Sequence, residues 1–144
     1  MSDVYVEEYV IKGDSFLEVG EASTKLKATL KMLGIPSDVS RRASVVVYEA
    51  EMNVMIHAGG GSIKASIYPD HLQIEAIDKG PGIPDLDLAM QQGYSTASDR
   101  IRELGFGAGM GLPNIKRNAD ELKIETALEE GTHLTAILFF SGGS

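Results

Sequence analysis

The sequence contains no cysteine, and only 13 lysines and arginines stand against 21 aspartates and glutamates. Without cysteine there is neither a disulfide framework nor a thiolate metal site, which fits a reducing cytoplasm. The formal net charge of −8 argues against binding to nucleic acid, because phosphate backbones are held by clustered lysine and arginine side chains. A small phosphate ligand stays open, and the acidity itself is interpreted as a solubility feature.

Long hydrophobic runs are also missing. The longest, "LTAILFF" near the C-terminus, is far too short to span a bilayer, and the acidic, alternating N-terminus "MSDVYVEEYV" is unlike a signal peptide. We therefore expect a cytoplasmic protein that is not associated with a membrane. The length predicts one domain over residues 1–140 with a flexible tail at 141–144.

Hydrophobic periodicity predicts the elements of the first half of the chain. Alternation over residues 3–11 predicts a strand. Apolar residues at helical spacing predict a helix over residues 14–33, ended by Gly34 and Pro36. A second helix is predicted over residues 37–58, before a run of three glycines.

The second half combines short strands with one long irregular segment. Two strands are predicted around a Pro69–Asp70 turn, and a helix at 112–119 precedes a final strand pair at 121–128 and 132–140. Residues 79–111, rich in glycine and polar side chains, are predicted to form a lid or binding loop, or else to be disordered. The element order predicts an α/β fold (an α+β sandwich) with helices on one face of a mixed, mainly antiparallel sheet.

A stripe of polar residues follows the second predicted helix. Glu49, Asn53 and His57 recur every fourth position, and the apolar Val46 and Ala50 lie beside them on the side predicted to be buried. Carboxylate and amide oxygens are the ligands that Mg²⁺ accepts, and a carboxylate can act as a general base. An ordinary solvent-facing stripe explains the same residues, and by itself the pattern favours that simpler interpretation.

The segment "AIDKGPGIPD" ends a predicted strand with an acidic residue. Asp78 is expected at the carboxyl end of this strand, where it can accept hydrogen bonds from a ligand. Gly80 and Gly82 would let the backbone pass close to a flat ring. A simple Pro-Gly turn is the alternative.

Glycines alternate in "RELGFGAGMGLPNIKR", directly before a predicted helix. A glycine-rich loop that leads into a helix N-terminus can bind an anion through free N–H groups and the helix dipole. Neither a G-x-x-x-x-G-K-[ST] loop nor the H-R-D and D-F-G signatures of protein kinases occur in the sequence. A flexible hinge is the alternative, but the helix begins immediately after the glycines.

Taken in order, these motifs resemble the boxes of the GHKL ATP-binding superfamily, which includes gyrase B, Hsp90, histidine kinases and bacterial anti-sigma kinases. "EAEMNVMIH" resembles the N box, "DKGPGIPD" and "GFGAGMG" the first two glycine boxes, and "EGTHLTAIL" the third. The resemblance covers essentially the whole chain and implies the GHKL (Bergerat-type) ATP-binding fold. "GMGLPNIKRNADEL" is most similar to RsbT-type switch kinases and less so to the anti-sigma factors RsbW and SpoIIAB.

The resemblance also implies a role for each motif, with ATP and Mg²⁺ as cofactors. Asp78 is expected to accept a hydrogen bond from the adenine amino group, Asn53 to coordinate Mg²⁺, and Glu49 to act as the catalytic base. The other residues implied to contact the nucleotide are Gly80, Gly82, Ile83, Thr96, Gly105, Gly107, Ala108, Gly109, Met110, Gly111, Leu112 and Thr132. Lys116 and Arg117 are expected on the surface, whereas Arg100 and Arg102 are equally compatible with a role in the lid and with solvated surface charge.

The resemblance implies a serine/threonine protein kinase of a sigma-factor partner-switching system that phosphorylates a STAS-domain protein. The alternatives are a nucleotide-gated binding module for a sigma factor or a PP2C-type phosphatase and, third, the catalytic part of a split histidine kinase. The sequence leaves open whether the protein is a monomer, a homodimer or part of a larger assembly.

Overall fold

The computed structural model describes residues 5–12, 20–58, 60–80, 111–127 and 130–140. These residues form β1 (Tyr5–Lys12), α1 (Glu21–Met32), α2 (Ser37–Ala58), β2 (Gly60–Ile67), β3 (His71–Asp78), α3 (Gly111–Asn118), β4 (Glu121–Ala127) and β5 (Gly131–Phe139).

The five strands form one sheet in the order β1-β2-β3-β5-β4. All four neighbouring pairs are antiparallel. The predicted fold class is confirmed, but no parallel pair of the expected mixed sheet occurs between the described strands. The reason is the path of the chain: β4 runs in the same direction as β3 after the α3 crossover, and β5 returns between the two.

The helices cover one face of the sheet. One core cluster joins the helices to the sheet. Its fully buried members include Leu26 and Leu30 of α1, Val46 of α2, Ile63 of β2 and Ile74 of β3. Burying a side chain of this size stabilises the fold by about 1.5–3 kcal/mol, against about 0–1 kcal/mol for an exposed ion pair. Apolar contacts between α1, α2 and the central strands therefore hold the layers together.

The start of α1 differs from the prediction. The helix begins at Glu21 rather than at residue 14, because Gly20 has a φ of +93°, a left-handed conformation that interrupts a right-handed helix. The apolar residues that lengthened the predicted helix, Phe16 and Leu17, lie outside the described residues.

The remaining predicted elements agree with the structure to within a few residues. The β2–β3 and β4–β5 hairpins form, and α3 starts at Gly111. Gly34, with a φ of +76°, follows the end of α1 as expected. The division into a domain at 1–140 and a tail at 141–144 stays a prediction. Within the described ranges, no helix is long and apolar enough to cross a membrane.

Candidate functional site

Asp78 is fixed at the carboxyl end of β3. Its Oδ1 accepts hydrogen bonds from the backbone N–H of Gly80, at 2.9 Å, and of Thr132, at 3.2 Å. The second bond crosses from β3 to β5, where Asp78 and Thr132 are register partners. Since Oδ1 is occupied by the protein, Oδ2 is the oxygen that can receive a donor from a ligand.

The start of β5 approaches the end of β3 so closely that only glycine fits there. Gly131 has a φ of +104°, and a Cβ at this position would lie 2.1 Å from the carbonyl oxygen of Asp78 and 2.8 Å from Cα of Lys79. The next residue, Thr132, is half-buried, and its Oγ1 lies 3.0 Å from Oγ1 of Thr126. Gly131 therefore permits the contact that places Thr132 beside Asp78.

Glu49 and Asn53 lie one turn apart on α2, at the edge of the core. Both side chains are half-buried, whereas Val46 and Ala50 beside them are 0% and 1% exposed. The stripe is thus a boundary between core and surface rather than a fully solvated face. Oε2 of Glu49 accepts a hydrogen bond of 3.0 Å from Nδ2 of Asn114 in α3.

Asn114 is a site residue that the sequence analysis did not single out. Its Oδ1 accepts a hydrogen bond of 2.8 Å from Nη1 of Arg117, and its carbonyl oxygen accepts one of 2.9 Å from Nδ2 of Asn118. The Arg117 bond fixes the amide so that the NH₂ group points to Glu49. In the sequence, Asn114 lies 65 positions from Glu49, so no local pattern indicated the pair.

The helix α3 is anchored by its apolar side. Leu112 and Ile115 are 8% and 0% exposed, and α3 packs against α2. Lys116 and Arg117 are exposed in its last turn, as expected, where positive charge suits the helix dipole. At the N-terminal end of α3, which begins at Gly111, the first N–H groups have no acceptor within the helix and are the groups that an anion would contact.

The structure thus brings Asp78 together with Gly80 and Thr132, and it places Glu49 against the helix that begins at Gly111. Several other predicted site residues lie outside the described residues, as do the two arginines of the predicted lid: Gly82, Ile83, Thr96, Arg100, Arg102, Gly105, Gly107, Ala108, Gly109 and Met110. His57 lies in α2, but its side chain is likewise outside the described set.

The chemistry of the described site agrees with a nucleotide held by few protein groups. Within the described ranges, no group of three or more histidine, aspartate or glutamate side chains could hold a metal ion. The site instead offers single oxygen donors, the amide of Asn53 and the carboxylates of Glu49 and Asp78. Mg²⁺ is commonly bound by one or two such groups together with substrate phosphates.

A comparison with protein families shows which family the chain belongs to. The sequence pattern of the histidine kinase-, DNA gyrase B- and HSP90-like ATPases matches residues 38–141. The chain belongs to this ATPase family. Its membership confirms the resemblance on which the site residues were assigned and implies that the protein uses ATP.

Individual members of the family extend the likeness over most of the chain. The serine/threonine-protein kinase RsbT of Bacillus subtilis is 35% identical over 111 residues, covering 74% of this chain and 77% of RsbT. An anti-sigma F factor of Bacillus licheniformis is 31% identical over 122 residues, 79% of this chain and 80% of the relative. Another, from Caldanaerobacter subterraneus, is 37% identical over 91 residues, 60% of each chain.

One solved structure supports the fold alone. The RsbU and RsbW domains of Rv1364c from Mycobacterium tuberculosis superpose with a TM-score of 0.58 at 14% identity. The match covers 92% of this chain and 32% of that one. The likeness is to the ATPase fold of the family.

Proposed function

We propose that this protein is an ATP-dependent serine/threonine protein kinase of a bacterial partner-switching system, and that it phosphorylates a STAS-domain protein in the cytoplasm. The observation that carries the proposal is the Glu49 carboxylate, which is half-buried and oriented by Asn114 beside the start of α3. A protein that only bound nucleotide would have no use for a base oriented in this way. The 35% identity to RsbT over three quarters of both chains supports the same function.

The nucleotide is proposed to lie between β3 and α3. The adenine amino group would donate to Oδ2 of Asp78, and Thr132 would contact the purine, because both residues meet at the same end of the sheet. The phosphates would meet the N-terminal end of α3, at Gly111 and Leu112. The residues proposed to complete the pocket are Gly80, Gly82, Ile83, Thr96, Gly105, Gly107, Ala108, Gly109 and Met110.

Asn53 is proposed to hold Mg²⁺, since its half-buried amide lies one turn from Glu49 and supplies a hard oxygen donor. When bound there, the ion would neutralise phosphate charge during phosphoryl transfer.

Glu49 is proposed to take the proton of the attacking serine or threonine hydroxyl. The hydroxyl oxygen forms a bond to the γ-phosphorus, the bond from that phosphorus to the bridging oxygen breaks, and ADP leaves with the electron pair. Asn114 holds Oε2 of Glu49, so Oε1 is the oxygen that can accept the proton. General-base help of this kind accelerates transfer by about 10²–10⁴-fold.

A second candidate function is that of a nucleotide-gated binding module for a sigma factor or a PP2C-type phosphatase. The observation that favours it is the series of relatives named anti-sigma F factor, which are 30–37% identical to this chain. The catalytic part of a split histidine kinase is the third candidate. The acid stability of the phosphorylated product distinguishes this third candidate from the proposed serine/threonine kinase.

The experiment mixes the protein with γ-labelled ATP, Mg²⁺ and the STAS-domain protein encoded nearest to it, beside a Glu49→Gln variant shown to bind ATP normally. We expect acid-stable label on a serine or threonine of the partner, and at least about 100-fold slower labelling with the variant. No label, with both proteins still binding ATP and the partner, would favour the binding module. Acid-labile label would favour the histidine kinase.

A further inference from the structure

A cavity lies on the opposite side of α2 from Glu49 and Asn53, and thus from the proposed ATP site. It has a volume of about 300 Å³, is open to solvent on one side and is lined by residues of β1, the start of α1 and α2. Its α2 wall is formed by Glu51 and Met55. Glu51 is two positions from both Glu49 and Asn53, which turns its side chain by roughly 200° around the helix axis, away from the ATP site.

Glu51 is a buried acid with an incomplete set of hydrogen bonds. Its residue is 3% exposed, and burial raises the pKa of its carboxyl, although the backbone N–H groups of Ala22, Gly20 and Ser23 act in the opposite direction. Gly20, the N-cap of α1, supplies no side-chain hydrogen bond to the helix, and the Glu51 carboxyl faces the backbone N–H groups at this N-terminus. Oε1 of Glu51 has no hydrogen-bond partner in the part of the chain that the structure describes.

The surroundings of Oε1 indicate which kind of group would satisfy it. The Glu51 carboxylate already occupies the positive end of α1, and its own negative charge disfavours a second anion beside it. The unpartnered Oε1 therefore requires a hydrogen-bond donor. Two more carboxylates, of Glu8 and Glu21, line the cavity. The lysines that also line it are Lys12 and Lys25, and Lys25 is paired with Glu21 at 2.8 Å. The lining carboxylates thus outnumber the lysines, which favours a donor with positive charge.

Apolar side chains form part of the lining. Ile11, Ala22 and Met55 line the cavity and are 6%, 4% and 3% exposed. An occupant with a hydrocarbon stem and a charged end fits such a lining, because the stem can contact the apolar side chains while the charged end meets the carboxylate.

We propose that this cavity binds an organic cation, a guanidinium or primary ammonium group on an alkyl chain, through Oε1 of Glu51. The stem of the ligand packs against Ile11 and Met55. Such a group is carried by free small molecules and by the arginine and lysine side chains of a partner protein. The site is separate from the ATP site and does not require nucleotide.

The test is an NMR titration of the full chain with agmatine, which carries a guanidinium group, and with N-butylurea, a neutral molecule of similar shape. We expect saturable shifts at the amides of Ala22 and Met55 with agmatine, at a Kd of about 1 mM, and none with N-butylurea. Glu51→Gln should weaken agmatine binding by about tenfold or more, since a hydrogen bond between two charged groups is lost. Glu121→Gln, at the exposed start of β4, is the matched control and should bind as the wild type does.

Equal binding of agmatine and N-butylurea, or no shift with agmatine at about 100 mM, would overturn the proposal, and so would unchanged binding by a folded Glu51→Gln variant. If that variant does not fold, the pair of probes on the wild-type protein still decides. Nucleotide binding, measured in the same samples, reports on the ATP site separately.

A second pair of probes identifies the source of the cation. A five-residue extended peptide with one central arginine is compared with the same peptide carrying citrulline, its neutral analogue. Binding of the arginine peptide at least about tenfold tighter than agmatine would support a partner's side chain, whereas equal binding would support a free cation. Failure of both the arginine peptide and agmatine would refute the site.

Discussion

Asn114 links α3 to Glu49, the proposed base. Its NH₂ group has Oε2 of Glu49 as its acceptor, at 3.0 Å, and its orientation is fixed by Arg117. If Glu49 is the base, as proposed, Asn114 is a positioning residue that acts on the reaction through Glu49.

We predict that Asn114→Ala slows phosphoryl transfer about tenfold or more and leaves the Kd for ATP within about twofold. The reason is that a hydrogen bond to a charged group contributes about 1.5–3 kcal/mol, and this one orients the proposed base. Single-turnover labelling and a separate nucleotide titration measure the two quantities. Lys116→Ala, on the exposed side of α3, is the control and should behave as the wild type in both. A parallel loss of ATP affinity and rate in Asn114→Ala would mean that Asn114 only stabilises the fold.

At the level of secondary structure elements, the contact between the start of β5 and the end of β3 depends on Gly131. We predict that Gly131→Ala lowers the free energy of unfolding by at least about 2 kcal/mol more than Gly34→Ala does. Both glycines have positive φ, but a Cβ on Gly131 would lie 2.1 Å from the carbonyl oxygen of Asp78, whereas a Cβ on Gly34 meets nothing within 4 Å. Urea unfolding of the two variants measures the difference. Equal losses would show that backbone strain alone, and not the contact with Asp78, requires glycine at position 131.

Glu7, at the contact between β1 and α1, has a carboxylate whose pKa is lowered. Burial raises the pKa of Glu7, but hydrogen bonds from Tyr9, Thr29 and Tyr5 to its carboxylate outweigh it and bring the pKa below its ordinary value. Among them, Oγ1 of Thr29 donates to Oε2 of Glu7 at 2.7 Å. A depressed pKa stabilises the fold above the pKa of the unfolded chain, and this stability is lost as the pH falls through the folded value.

We therefore predict that the wild type loses more stability than Glu7→Gln does as the pH falls from about 5 to about 3, around the ordinary glutamate pKa. Urea midpoints measured across this range give the comparison. Glu125→Gln, on the exposed face of β4, should keep the wild-type slope. A Glu7→Gln variant with that same slope would exclude Glu7 as the source of the acid sensitivity.

The elements themselves were largely predictable because their patterns are local. The alternation of apolar and polar residues predicted the strands of both hairpins, and Asp78 was expected at the end of a strand, where it lies. The start of α1 was not predictable from periodicity, since Phe16 and Leu17 continue the helical spacing while the left-handed Gly20 interrupts the helix. The Glu49–Asn114 bond and the unpartnered oxygen of Glu51 depend on packing between distant elements, which no local pattern carries.

For the whole molecule, Arg42 joins parts of the fold that are distant in the sequence. Its side chain is 19% exposed and bonds to Asp38 in α2, at 3.2 Å, and to Asp120 before β4, at 3.5 Å. Nη1 also donates to the carbonyl oxygen of Asn118 at 3.1 Å, which satisfies a carbonyl at the end of α3. Arg42 thus ties the start of α2 to the corner between α3 and β4.

We predict that Arg42→Ala lowers the melting temperature by several degrees, corresponding to about 1–2 kcal/mol. Arg41→Ala should change stability by less than about 0.5 kcal/mol, because Arg41 is 64% exposed and its ion pair with Asp38 is a surface one. Calorimetry of both variants makes the comparison. Similar losses would assign the effect to the shared Asp38 rather than to the bonds across the fold.

The antiparallel pairing of β3 with β5 also has a consequence for folding kinetics and for variation in chain length. The β2–β3 and β4–β5 hairpins close locally, whereas joining them requires the whole stretch from Asp78 to Thr132 to loop back. We expect this late, non-local step to limit the folding rate. The entropy of loop closure grows only logarithmically, by about 0.6 kcal/mol per doubling of length. We therefore expect insertions and deletions within residues 81–110 to cost the sheet little, so that the length of this segment can change without disturbing the strands that carry Asp78 and Thr132.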